Sequence, residues 1–140
     1  MPPAFSPFRW LLPCVAALAG CLGFMAVWTF VAVLSGKAHA WLALLAAVDI
    51  AFMLRLARAP EGRGRIALAV CATALAIAGG LWLIVATRIG LVMGLDPLNS
   101  ALRLGPVLFE ALTRLSLGTL DYALILLSLP LAAWLTRPRR

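Results

Sequence analysis

The stretch Trp10–Ser35, WLLPCVAALAGCLGFMAVWTFVAVLS, decides what kind of protein this is. It runs for 26 residues without a charge, directly behind Arg9. Crossing a hydrocarbon core about 30 Å thick takes about 20 apolar residues at a helical rise of about 1.5 Å each. The stretch therefore reads as a membrane-spanning helix. Two embedded patterns point to processing instead: Leu18-Ala19-Gly20-Cys21 resembles a lipoprotein cleavage site, and Ala38-His39-Ala40 resembles a signal-peptidase site. A cleavable signal has an apolar core of only about 7–15 residues. This run is longer, and it stays apolar past Cys21 through Leu22, Phe24, Met25, Val27 and Trp28. The expectation is an uncleaved first span over 10–35.

The rest of the chain extends that reading. Apolar residues make up 64% of the 140 positions, against about 45–50% in soluble domains. Charged residues make up 12%, against about 25%. A water-soluble fold of this length has no interior large enough to hide so much apolar surface. After the turn Ser35-Gly36-Lys37, a second span is expected over 38–57, closed by Arg55, Arg58 and the breaker-rich loop Ala59-Pro60-Glu61-Gly62-Arg63-Gly64-Arg65. A third span is expected over 66–90, with apolar residues continuing to Leu95, and a fourth over 119–136. The chain thus reads as one all-α transmembrane domain over 1–140, a bundle of four transmembrane helices.

Between the third and fourth spans, 96–118 reads differently. Asp96-Pro97 is a helix start, with Asp expected to cap the free amides and Pro suited to the first helical position. Gly105-Pro106 breaks and restarts the helix, and Glu110 and Arg114 stand one turn apart as a favourable pair. On an unbroken helix Arg103, Glu110 and Arg114 would share one narrow face on an otherwise apolar cylinder. That is the pattern of a short amphipathic helix lying in the membrane interface. Asp121 then sits in the first turn of the fourth span, where a negative charge suits the helix dipole.

Charge placement gives an orientation. The formal charge is +7, and 11 of the 12 basic residues are Arg. These cluster at the ends of apolar runs rather than along a stripe, which argues against nucleic acid as a partner. Four spans put Arg9, Arg55, Arg58, Arg63, Arg65, Arg137, Arg139 and Arg140 on the side of the termini, and only Lys37, Arg88, Arg103 and Arg114 opposite. The positive-inside bias then places both termini in the cytoplasm and 96–118 in the periplasm. Trp10 and Trp134 would mark the inner interface, Trp41 and Tyr122 the outer one. An Arg-over-Lys excess in an Ala- and Leu-rich chain fits a GC-rich bacterial genome, hence a bacterial inner membrane.

Few residues offer chemistry. Asp49 is the one acid inside an expected span, and a carboxylate there costs about 2.5–3.5 kcal/mol on insertion scales. It must face other helices, carry a proton or find partners; counting similar depths suggests a polar cluster with Thr73 and Ser128. Gly90 and Gly94 form a GxxxG pair, and Ala16/Gly20 and Ala19/Gly23 are small-xxx-small pairs that allow close helix approach. Arg55, Arg58, Arg63, Arg65, Arg137, Arg139 and Arg140 suit anionic lipid head groups as well as topology. His39 is the only histidine, with no CxxCH and no second His. Cys14, Cys21 and Cys71 lie inside apolar runs and read as small hydrophobes. HExxH, GxSxG, CxxC and phosphate-loop motifs are absent, so the expectation is no cofactor, no metal and no independent enzyme activity. The functional expectation is an accessory, assembly or partner-binding membrane subunit, as a homo-oligomer or in a larger complex. A small transporter using Asp49 is the alternative, and a redox subunit using His39 a weaker one.

Overall fold

The structure, a computed structural model, describes residues 6–137. Arg139 and Arg140 lie outside the described residues. Within them every regular element is helical: α1 (Phe8–Ser35), α2 (Leu42–Leu56), α3 (Arg63–Met93), α4 (Pro97–Arg103), α5 (Pro106–Ser116) and α6 (Thr119–Leu135). α1 and α3 are each long and apolar enough to cross a membrane. α5 and α6 meet that standard only together, as one span broken by a bend of 109°. Two spans, or three with the bent pair, are what length and composition establish.

The expected second span over 38–57 is longer than the helix that forms. His39 takes a left-handed backbone with φ 47°, and Ala40 and Trp41 turn, so regular helix begins only at Leu42. At the other end, the Arg58 amide donates to Arg55 and the Ala59 amide to Leu54, with Arg58 at φ 51°. This is the paired hydrogen-bond pattern that closes a helix on a left-handed residue, normally glycine. The third span differs in the other direction: helix starts at Arg63 rather than 66 and runs to Met93, where Gly94 at φ 68° stops it. The break expected within 96–118 does form, as two short helices separated at Leu104-Gly105.

α1 packs against α2 and α3, and α6 against α2 and α3, while the backbones of α1 and α6 stay apart. α2 is buried along most of its length, at Leu42, Ala43, Ala46, Ala47, Ile50, Ala51 and Leu54. α1 and α3 run parallel at a nearly constant offset in numbering. Trp10 lies against Gly64, Met25 against Gly79 and Trp28 against Gly80. A Cβ on Gly80 would stand 2.8 Å from the Trp28 ring, so only glycine admits the indole there. Trp28 is 0% exposed and donates its indole N–H to the Ala38 carbonyl at 2.7 Å. α4 and α5 pack on the far end of α3, with Trp82 donating to the Ala101 carbonyl at 3.0 Å and stacking on Phe109.

This packing sorts the charges. The starts of α1 and α3 and the ends of α2 and α6 share one pole, which collects Arg9, Arg55, Arg58, Arg63, Arg65 and Arg137. The other pole holds Lys37, His39, Arg88 and Asp121 around one open cavity. Between the poles the outer surface is apolar, including Leu11, Leu18, Leu22 and Phe30 of α1, and Leu120, Leu126 and Leu127 of α6. Water does not tolerate contiguous apolar surface of that extent on a single chain; lipid does.

Candidate functional site

Asp49 occupies the middle of α2, seven residues from either end, or roughly 10 Å at about 1.5 Å per residue. It is half-buried, and its carboxylate turns towards α1: a Cβ on Gly20 would lie 3.5 Å from Asp49 Oδ2 and 3.1 Å from Met53 Cγ. Gly20 is therefore the α1 position that lets the acid and Met53 seat against the helix. Among the described residues, Asp49 has neither an ion pair nor a side-chain hydrogen bond.

The structure does not join Asp49, Thr73 and Ser128 by hydrogen bonds. Ser128 is fully buried and donates to the carbonyl of Ile125 on its own helix. Thr73 is fully buried on α3, and its hydroxyl has no partner. Depth along a helix carries no azimuth. The rotation of α2 about its own axis points the carboxylate at α1 instead.

Around Asp49 the surface has a distinct character. Trp41, Leu45, Val48, Phe52 and Leu56 recur at intervals of three and four and form the exposed stripe of α2. On α1, Ala19 and Gly23 are exposed, and a Cβ on Gly23 would meet nothing within 4 Å. At about 100° per residue, Ala16, Ala19 and Gly23 fall on one side of Gly20, while Ala17 and Cys21 fall on the other. Ala17 and Cys21 face the core with α3. The small-residue face of α1 thus lies beside the outer stripe of α2, and Asp49 sits in the shallow groove between them.

The remaining predicted residues divide clearly. Gly90 does permit a close approach, but to α4: a Cβ there would stand 2.6 Å from Ser100 Oγ and 2.8 Å from the Leu95 carbonyl. A Cβ on Gly94 would meet nothing within 4 Å in this chain, and Gly94 ends α3. Asp96 leaves α4 without a side-chain cap, although Pro97 takes the first-turn position as read. Asp121 does cap α6, accepting the Gly118 amide at 2.8 Å.

His39 has both ring nitrogens engaged. Trp41 Nε1 donates to Nδ1 at 3.3 Å, which makes Nδ1 the acceptor. Nε2 then carries the proton towards Ser35 Oγ at 2.7 Å, and Ser35 in turn donates to the Val31 carbonyl at 2.7 Å. A chain of this kind staples the α1–α2 turn. No group of three or more His, Cys, Asp and Glu side chains among the described residues has metal-binding geometry.

Two arrangements were not foreseen from sequence. Cys14, Cys21 and Cys71 line one apolar groove between α1 and α3, all as free thiols. Arg55, Arg58, Arg65 and Arg137 converge with Glu61 and Ala59 on an open cavity of about 450 Å³ at the arginine pole, while Arg63 is exposed nearby and does not line it. Their common interest in anionic groups was legible from the sequence; their convergence depends on α2, α3 and α6 ending together. No protein-family profile, curated protein or solved structure matches the chain.

Proposed function

We propose that this chain is a non-enzymatic subunit of a bacterial inner-membrane assembly, and that it holds a helix of another subunit or another copy in the α1–α2 groove. In this reading α1, α2, α3 and α6 each cross the bilayer, both termini are cytoplasmic, and α4–α5 lie in the periplasmic interface. Alternation of the two poles and the surplus of arginine at one of them support that orientation. α2 is short for a span, at about 22 Å. It is enclosed on three sides by longer helices, so only one stripe would meet lipid.

The observation that carries the partner reading is Asp49: a half-buried acid at mid-helix, unpartnered among the described residues, beside the exposed small residues Ala19 and Gly23. In lipid such a carboxylate is costly, and intramembrane acids are met by partners inside bundles. Exposed small residues allow a helix backbone to come close, and a polar group then gives it a hydrogen bond that lipid cannot. A photo-crosslinking amino acid at Phe52, which is 60% exposed beside Asp49, is expected to yield a defined protein adduct in native membranes. The same probe at Leu127 on α6 is the control. Equal lipid-only labelling at both positions rejects the reading.

The same unpartnered carboxylate fits a second reading, a small oligomeric transporter in which Asp49 takes up a proton or a cation. Water access separates the two. In a background lacking Cys14, Cys21 and Cys71, labelling of Asp49→Cys by a membrane-impermeant thiol reagent favours transport; resistance favours the docking groove.

A further inference from the structure

We infer that the arginine cavity at the shared end of α2, α3 and α6 is a binding site for a phosphate group. Four guanidinium groups, of Arg55, Arg58, Arg65 and Arg137, line it against the single carboxylate of Glu61. Glu61 pairs with none of them: the one ion pair among the described residues is Arg114–Glu110, at the opposite pole. Arg55 spends one N–H on the Leu135 carbonyl, tying the last turns of α2 and α6 together. Arg65 is the decisive residue. It is only 7% exposed, and its buried Nε has no partner. A buried guanidinium N–H without a partner is costly, and an anion held by the same side chain in the cavity would offset that cost.

The helix ends point the same way. Arg63 and Arg65 open α3 with no acid in its first turn and no side chain capping its free amides. Cations at a helix N-terminus oppose the macrodipole, whereas an anion suits both the dipole and the exposed N–H groups. Planar guanidinium forks converging from three helices match a tetrahedral group with several acceptor oxygens better than one flat carboxylate. The cavity is much larger than a bare phosphate needs, so it has room for an attached glycerol or sugar. Beside it, Arg55 and Arg137 also line a second groove with Trp134 and Leu135. That continuity, from guanidinium to indole to apolar helix, fits the phosphate of an anionic phospholipid with its chains on α6. Choline or ethanolamine head groups would bring a cation against the arginines. The lipid source rests on the membrane reading; it is independent of the α1–α2 groove.

The test uses the full chain in neutral detergent and in phosphatidylcholine nanodiscs, titrated with phosphatidylglycerol in one arm and inorganic phosphate in the other. The readouts are melting temperature and lipid retained in native mass spectrometry. Phosphatidylglycerol should bind in preference to phosphatidylcholine and raise the melting temperature, less so at high salt. Arg58→Gly and Arg65→Gln should each weaken binding about tenfold, as expected for one lost charge-assisted contact. Arg58→Gly is the variant that keeps the fold, because the backbone at that position suits glycine. Equal binding to the inorganic phosphate arm, again lost in both variants, upholds the phosphate site and assigns it to a soluble phosphate. Indifference to both ligands, or binding unchanged by both substitutions, overturns the inference. A crosslink from Phe52 is unaffected by either result.

Discussion

Gly80 and Gly23 are both helical glycines, yet they answer to different demands. Gly80 gives way to the fully buried Trp28 ring, whereas Gly23 faces open space. Gly80→Ala should lower the stability of the purified chain by about 1–3 kcal/mol, because the indole is boxed in and cannot retreat. Gly23→Ala should instead be neutral or stabilising by up to about 1 kcal/mol, the gain in helix propensity. Thermal unfolding of the two variants in one detergent checks the contrast. Gly23→Ala should nonetheless weaken the Phe52 crosslink, since it thickens the groove. Asp49 follows the same logic. Asp49→Leu removes an acid with no partner of its own, so the isolated chain should gain up to about 3 kcal/mol. The crosslinked assembly should at the same time be lost. A loss of stability in the isolated variant would show that Asp49 serves the fold of the single chain.

At the scale of elements, α2 is closed by a residue that the backbone does not favour. Arg58 occupies the left-handed position of a cap in which glycine is usual. Arg58→Gly should therefore stabilise the chain by about 1 kcal/mol, the order of the left-handed penalty. At that position Arg58 also lines the cavity, where it supplies a charge that glycine lacks. On α5 the Glu110–Arg114 pair leaves its side chains 73% and 62% exposed, Arg first. Exposed pairs one turn apart contribute at most about 0.5 kcal/mol. Glu110→Gln should accordingly leave the melting temperature nearly unchanged. α5 was legible because its charges and its Gly-Pro break are local signals. The short extent of α2 was not, because Ala38, Ala40 and Ala57 are good helix formers whose turns are imposed from outside, by the hydrogen bond that Trp28 donates to Ala38 and by the packing of Ala59 in the core.

At the scale of the whole molecule, the apolar belt and the two charged poles predict where water reaches. Cys14 and Cys71 are exposed on the chain itself, five and six residues from Arg9 and Arg65 of the arginine pole. In sealed membranes both should resist a membrane-impermeant maleimide and react only after denaturation in detergent. Reporter fusions after Arg137 and within the α4–α5 connection should report opposite faces, the first cytoplasmic. Rapid labelling of Cys71 in intact membranes would mean that this face of α3 is wet and that the surrounding surface is not lipid-facing.

The amino-acid order alone determined that the chain is helical, apolar enough to sit in a membrane, broken at Gly36, Pro60, Gly105 and Gly118, and charged unequally between alternate connections. Those properties are set residue by residue, through transfer free energy, backbone freedom and arginine placement, so they survive without knowledge of neighbours. Only the tertiary structure decided which way Asp49 turns, that Gly90 serves α4 while Gly94 ends a helix, and that Arg65 is buried beside Arg55, Arg58 and Arg137. Each of these depends on the rotation of a helix about its axis and on where separate helices end. A uniformly apolar helix carries too little sidedness in its sequence to fix that rotation; the fit of glycine against tryptophan and of small against large side chains does so.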